Sequence, residues 1–261
     1  MGKTIVAKFG GTSVATAQNI LRVAAILQSN PQRKICVVSA PGKTATYAKM
    51  TDMLIDNEID ACIKRAAELA DELKLSNGVM HVISAKLFDL HQYQSSVALV
   101  SFGEWLSAYL LSQVTGWMLV DACDVIFFEG TNVRIETPWQ TGQRVIVPGF
   151  YGYDMQAQTI KLFPRGGSDI TASHIAQQMN ASLCENWTDV PGVFDRDPNK
   201  FSDATSYSHL SYRRLLEVAQ SGAQVFHLEA IEPLQKAEIP LCIKSTFAPN
   251  KPGTMVTSRS P

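Results

Sequence analysis

The chain has 261 residues, of which 46% are hydrophobic and 18% charged, and 23 Lys and Arg against 24 Asp and Glu leave a net charge of −1. That apolar content excludes disorder as the main state, and the charge balance supplies no global field for nucleic acid or an anionic membrane. The cysteines, Cys36, Cys62, Cys123, Cys184 and Cys242, are dispersed and form no C-x-x-C pair. They predict buried thiols in a reducing compartment rather than a disulfide framework or cysteine-bound zinc. Lys8 and Gly10-Gly11 follow Lys3 before any apolar stretch of signal length, so no secretory signal is expected. The apolar region from Val97 to Phe128 is interrupted by Glu104, Asp121 and Asp124 and reads as core rather than a membrane span. The expected location is the cytoplasm.

Short β-branched runs alternate with longer helical patterns. Thr4–Ala7 predicts a buried strand, and Ser13–Gln28 a helix with Val14, Ala17, Leu21, Ala24 and Leu27 on one stripe and Thr12 or Ser13 as its cap. Asn30-Pro31 stops that helix, and Ile35–Val38 is the next strand. Helices follow over Glu58–Leu75 and Ser96–Val114, then strands over Trp117–Val120, Val125–Phe128, Val145–Val147 and Thr159–Leu162. A helix over Ser168–Met179, a strand over Ala181–Glu185, helices over Ser211–Gln220 and Phe226–Ala237, and a strand over Leu241–Lys244 complete the pattern. Such alternation predicts an α/β fold whose parallel or mixed sheet is covered on both faces, with no internal repeat and one domain. Ligands in these folds bind at the carboxyl ends of the strands, where loops enter helix N-termini.

Four turns sit at such junctions. Lys8-Phe9-Gly10-Gly11-Thr12-Ser13 lets backbone approach a ligand, and Lys8 is placed to stabilise a transferring phosphoryl group, although a Gly-Gly turn alone reads more readily as a plain tight turn. Gly42-Lys43-Thr44 ends like a phosphate-binding P-loop, but Val37 stands where its first glycine belongs, so only a strand-end loop remains. Arg165-Gly166-Gly167-Ser168-Asp169 offers a bidentate carboxylate clamp in Arg165, a helix cap in Ser168 and a first-turn carboxylate in Asp169. The long loop from Asn186 to Pro198 carries an aromatic ring, hydroxyls and acids suited to a base, a ribose and magnesium-bound phosphates. Glu104, inside an apolar helix, requires a cationic partner. His81, His91, His174, His209 and His227 lack metal-ligand spacing, so no protein-held metal site is expected.

Taken in order, Lys8-Phe9-Gly10-Gly11-Thr12-Ser13-Val14, Val37-Val38-Ser39-Ala40, Ser101-Phe102-Gly103-Glu104, Pro148-Gly149-Phe150, Arg165–Asp169, Trp187–Val193, Gly222–His227 and Pro252-Gly253-Thr254 resemble the catalytic domain of the aspartate kinases, in the amino acid kinase family. The resemblance runs nearly end to end. It implies a three-layer α/β/α sandwich over 1–261, with a mostly parallel sheet, an N-terminal lobe for the amino acid and a C-terminal lobe for the nucleotide. It implies transfer of the γ-phosphoryl group of ATP, bound with Mg2+, to the β-carboxylate of L-aspartate, a step toward lysine, threonine and methionine. Carried over by position, Lys8 and Asp169 are catalytic, and Ser39, Thr51, Glu104, Phe150, Arg165 and Ser168 line the aspartate site. Lys8, Gly10, Gly11, Thr188, Asp189, Phe194 and Lys244 contact the nucleotide, with Lys251 the alternative to Lys244.

A carboxylate nucleophile is ionised at neutral pH, so the chemistry needs no general base, only cations and N–H groups that offset charge repulsion. Arg165 is expected to grip the substrate α-carboxylate and Glu104 its ammonium. Some positions depart from the family pattern: Pro164 precedes the arginine, Phe194 replaces a common tyrosine, and Asn199 replaces an arginine whose phosphate contact is either lost or taken by Lys200. The regulatory ACT domains that usually follow the Gly-Thr matching Gly253-Thr254 do not follow before Pro261, so feedback control through them is not expected. The resemblance implies a homodimer and admits a separate regulatory subunit. An acceptor other than aspartate, or a silent kinase-like binding subunit, are the alternatives, and no basic stripe supports nucleic-acid binding.

Overall fold

The computed structural model describes residues 3–93, 95–164, 166–196, 201, 203–220 and 226–258. The chain opens with β1 (Ile5–Phe9), α1 (Ala17–Gln28) and β2 (Arg33–Val38), followed by a helical run of α2 (Met50–Ile55), α3 (Ile59–Glu72), α4 (Asn77–Tyr93), α5 (Ser96–Val100) and α6 (Phe102–Thr115). Short strands come next: β3 (Met118–Leu119), β4 (Ile126–Glu129), β5 (Asn132–Ile135), β6 (Val145–Pro148), β7 (Tyr151–Asp154) and β8 (Thr159–Leu162). The rest comprises α7 (Gly167–Gln178), β9 (Leu183–Thr188), β10 (His209–Ser211), α8 (Tyr212–Gln220), α9 (Ile231–Lys236), β11 (Leu241–Ser245) and β12 (Thr254–Thr257).

Among the described residues the main sheet has eight strands in the order β10-β12-β11-β9-β1-β2-β6-β3. All its pairings are parallel except β11 with β12. Alternate residues of the central strands feed opposite cores, as a doubly covered sheet demands. Ala7, Phe9, Cys36 and Val38 pack with α1 to α6, whereas Val6, Ile35 and Val37 pack with α7, α8 and α9. The three-layer arrangement follows. A second sheet, β5-β4-β7-β8, pairs two hairpins through a parallel β4–β7 contact.

The structure corrects several expectations. The first helix begins after a separate short turn over Gly11–Val14, and Thr16 rather than Thr12 or Ser13 caps it by accepting the Asn19 N–H. The helix expected over Ser96–Val114 is interrupted at Ser101, whose hydroxyl donates to the Ala98 carbonyl at 2.6 Å. The one expected over Phe226–Ala237 is a short turn, Leu228–Ala230, and then α9. Helices α2 and α4 and strands β5, β7, β10 and β12 were not anticipated. The span Ser96–Thr115 is long and apolar enough to cross a membrane, but 78% of it is buried within the protein, as expected of core. All five cysteines are unpaired and four are buried.

Candidate active site

Strands β1, β2, β6, β9 and β11 run parallel, so their carboxyl ends deliver Gly10-Gly11, Ser39-Ala40, Gly149-Phe150, Asp189 and Thr246 to one edge of the sheet. A cavity of about 540 Å³ opens there. Lys8, Gly11, Ser39, Thr51, Glu104, Phe150, Ser168 and Asp169 all line it. Arg165 and the 222–225 segment, like Asn199 and Lys200, lie outside the described residues, although Gly166 and Gly167 are in the lining.

Lys8 Nζ lies 2.6 Å from Asp169 Oδ1, with both side chains about nine-tenths buried. Lys8 shares the strand parity of Val6, which turns it toward α7, and Asp169 occupies the first turn of that helix. The helix is entered through Gly166 at φ +80°, so Gly166 rather than Ser168 holds the cap position. A Cβ on Gly166 would run into the His227 ring, and the His227 N–H donates to Asp169 Oδ2 at 3.3 Å. The carboxylate is thus held from two sides.

Glu104 sits in the first turn of α6 with 4% exposure, and its Oε2 has no hydrogen-bond partner among the described residues. Burial pushes its carboxyl up to about 8, against the opposing pull of the Ala40 and Glu104 N–H groups. An orphaned acid oxygen facing a polar cavity is suited to a cationic group of a ligand. Phe150, beside it in the lining, holds φ +75°, which costs a non-glycine residue roughly 1–2 kcal/mol. Its N–H donates to Thr171 Oγ1 and its carbonyl accepts from Phe163 N, which fixes the turn against α7.

Of the residues expected to touch a nucleotide, Lys8 and Gly11 line the cavity, whereas Gly10, Thr188, Asp189, Phe194 and Lys244 do not. Asp189 accepts from Thr188 Oγ1 at 3.0 Å and from Thr12 Oγ1 at 3.5 Å, and Thr12 does line the cavity. Gly10 is tied to the same strand end by its N–H to the Trp187 carbonyl. Lys244 Nζ rests 5.2 Å from the centre of the Trp187 ring, and Phe194 bridges to Ser206 further along the loop. Trp187 is in turn fixed from below, where Nε1 donates to Glu185 and Arg33 pairs bidentately with that same buried carboxylate.

Lys43, Lys49 and Asp52 also line the cavity and were not singled out as site residues, the Gly42-Lys43-Thr44 segment having been read only as a strand-end loop. Among the described residues no group of three His, Cys, Asp or Glu side chains is arranged to hold a metal.

A profile for the amino acid kinase family matches residues 3–245. The chain belongs to the amino acid kinase family. Among curated relatives, this amino acid kinase is 33% identical over 291 residues to aspartokinase 3 of Bacillus subtilis, with 97% of this chain and 63% of the relative covered. It is 31% identical over 261 residues to the aspartokinase of Rickettsia felis, covering 98% of this chain and 61% of that protein. The aspartate kinase of Clostridium acetobutylicum superposes with a TM-score of 0.88 at 33% identity, over 97% of this chain and 63% of that one. E. coli aspartokinase III in complex with aspartate and ADP superposes at 0.85 with 24% identity, over 99% of this chain and 65% of that one, a likeness of fold. The chain therefore spans less than two-thirds of the length of these relatives.

Proposed function

We propose that this chain transfers the γ-phosphoryl group of ATP to the β-carboxylate of L-aspartate, giving 4-phospho-L-aspartate and ADP. The observation that carries the reading is a single cavity holding the buried Lys8–Asp169 ion pair together with a buried Glu104 whose Oε2 has no partner among the described residues. The similarity to aspartokinases supports it further.

One oxygen of the acceptor carboxylate attacks the γ-phosphorus, and the bond from that phosphorus to the β,γ-bridging oxygen breaks, leaving ADP. No proton is abstracted, so the protein's task is to lower repulsion between anions and align them. Lys8 lies against the transferring group, and Asp169 orients its ammonium. Glu104 takes the substrate ammonium, while the hydroxyls of Ser39, Thr51 and Ser168 fix the rest of the acceptor. Phe150 closes the wall, and Arg165 grips the α-carboxylate by its chemistry. Gly11 brings its backbone N–H to the phosphates, Gly10 lets the main chain approach them, and Thr188, Asp189, Phe194 and Lys244 hold the nucleoside side. Mg2+ bound with the nucleotide would supply charge neutralisation, held mainly by phosphate oxygens and waters, which suits a site where the described residues form no carboxylate cluster. The reading extends to one kinase domain with an amino-acid lobe followed by a nucleotide lobe, working in the cytoplasm.

The deciding experiment is ADP release with MgATP and L-aspartate, coupled to hydroxylamine trapping of the acyl phosphate across a panel of amino and carboxylic acids. Hydroxamate formed with aspartate above other acceptors supports the reading. Turnover with a different acid and none with aspartate replaces the substrate and keeps the chemistry.

A further inference from the structure

Arg65 lies on α3, well outside the lining of the cavity, and only 2% of its surface is exposed. Among the described residues no carboxylate pairs with it. Its guanidinium instead donates to the carbonyls of Gly42 at 2.5 Å, Ala48 at 2.8 Å, Ala15 at 3.2 Å and Pro41 at 3.5 Å. The same group lies 5.5 Å from the centre of the Tyr47 ring, and the Tyr47 hydroxyl donates to Glu68, one turn further along α3. The irregular segment between β2 and α2 is thus fastened to one helix at several points. That segment and the start of α2 contribute Pro41, Gly42, Lys43, Lys49, Thr51 and Asp52 to the cavity.

We infer that Arg65 is a positioning residue that sets the acceptor-side wall of the cavity by holding the 41–48 carbonyls in one arrangement. A planar guanidinium with five donors in a rigid fork can serve four carbonyls at once, whereas a lysine ammonium has three donors and no fixed plane. The Gly11–Val14 turn on the other side has anchors of its own, the Gly10 N–H to Trp187 and the Ser13–Thr246 hydroxyl contact at 2.7 Å. Loss of Arg65 removes the contact to Ala15, at the end of that turn, but leaves these two anchors in place, so it loosens the acceptor wall more than the phosphate-side turn. The kinetic consequence rests on the proposed aspartate kinase reading; the effect on the loop does not.

The test compares Arg65→Lys and Arg65→Met with Leu69→Ala, a core truncation on the same helix away from the loop. Thermal melting and amide exchange of Gly42, Thr44 and Met50 are measured on the ligand-free protein, and steady-state kinetics with MgATP and aspartate on the same samples. The expected result is that Arg65→Lys raises the acceptor KM about tenfold, with the ATP KM within twofold. Exchange at the three amides accelerates, and Leu69→Ala with a similar fall in Tm leaves both readouts unchanged. If Arg65→Met does not fold, Arg65→Lys alone carries the comparison. Arg65→Lys with the acceptor KM and exchange rates of Leu69→Ala overturns the inference. A wild-type protein silent toward aspartate overturns the substrate assignment instead, and amide exchange then decides the role of Arg65.

Discussion

Gly11 and Gly42 meet backbone to backbone: the Gly42 N–H donates to the Gly11 carbonyl at 2.9 Å, and a Cβ on Gly42 would lie 2.7 Å from Gly11 carbonyl carbon. The turn after β1 and the loop after β2, on either side of the cavity, are therefore in contact at the one place where neither can carry a side chain. Gly42→Ala forces backbone apart rather than a flexible side chain aside, at a cost of about 1–3 kcal/mol. The expected outcome is a lower Tm and a fall in kcat/KM for both substrates. Equal kinetics for wild type and variant in a steady-state assay would show that the contact is passive.

Lys8 and Asp169 neutralise one another in a nearly dry setting. Lys8→Met leaves a buried carboxylate alone, which costs about 3–5 kcal/mol, and it removes the charge aimed at the phosphoryl group. The fall in kcat is expected to be on the order of 10²–10³, by analogy with loss of one transition-state donor. Adding Asp169→Asn should restore much of the Tm without restoring turnover, so melting and ADP release together separate the two roles.

Glu104 binds its proton more tightly folded than unfolded, at about 8 against an ordinary 4.5. The folded state therefore carries more protons between those values, and its stability falls as pH rises through that window. Glu104→Gln should flatten that decline in denaturant titrations of the ligand-free protein. An acceptor ammonium favours the ionised carboxylate, so the wild-type KM for aspartate should drop from pH 6 to pH 8. The same series in Glu104→Gln should be flat and uniformly weak. A wild-type KM independent of pH over this range would separate Glu104 from acceptor binding.

Asp189 accepts from Thr188 and Thr12, and the proposed reading puts it on the nucleotide side. Asp189→Ala is expected to raise the KM for ATP several-fold with the acceptor KM within twofold, read from the two substrate titrations. The reverse pattern would reassign this strand end to the acceptor.

Strands β1 and β2 were legible because both faces are largely buried and each carries a short apolar run, as in Ile35–Val38. Strands β5, β7, β10 and β12 escaped notice because they are short, with polar residues such as Arg134, Asp154 and His209 among them. Helix α4 does carry Val79, Ile83, Leu87 and Leu90 at helical spacing, but exposed Val82 and Phe88 blur the stripe. The first helix cap was misplaced because Ser13 turns its hydroxyl to Thr246, a contact 233 residues away in sequence.

The same distance problem governs the site. Position within strand-to-helix turns marked Lys8 and Asp169 individually, yet their ion pair joins residues that nothing local connects. Arg65 did leave a signal: it follows Cys62 by three residues and precedes Leu69 by four, a charge set into the apolar stripe of α3. A solvated arginine and one serving buried carbonyls look alike until the partner loop is in view.

Trp187 supplies a last consequence. Its indole is stacked on Phe9, lies within 5.2 Å of the Arg33 guanidinium and has the Lys244 ammonium at its face. On the proposed reading, a polyphosphate at the adjoining strand ends competes with that ring for the ammonium, and titration with nucleotide is expected to change the emission of this indole.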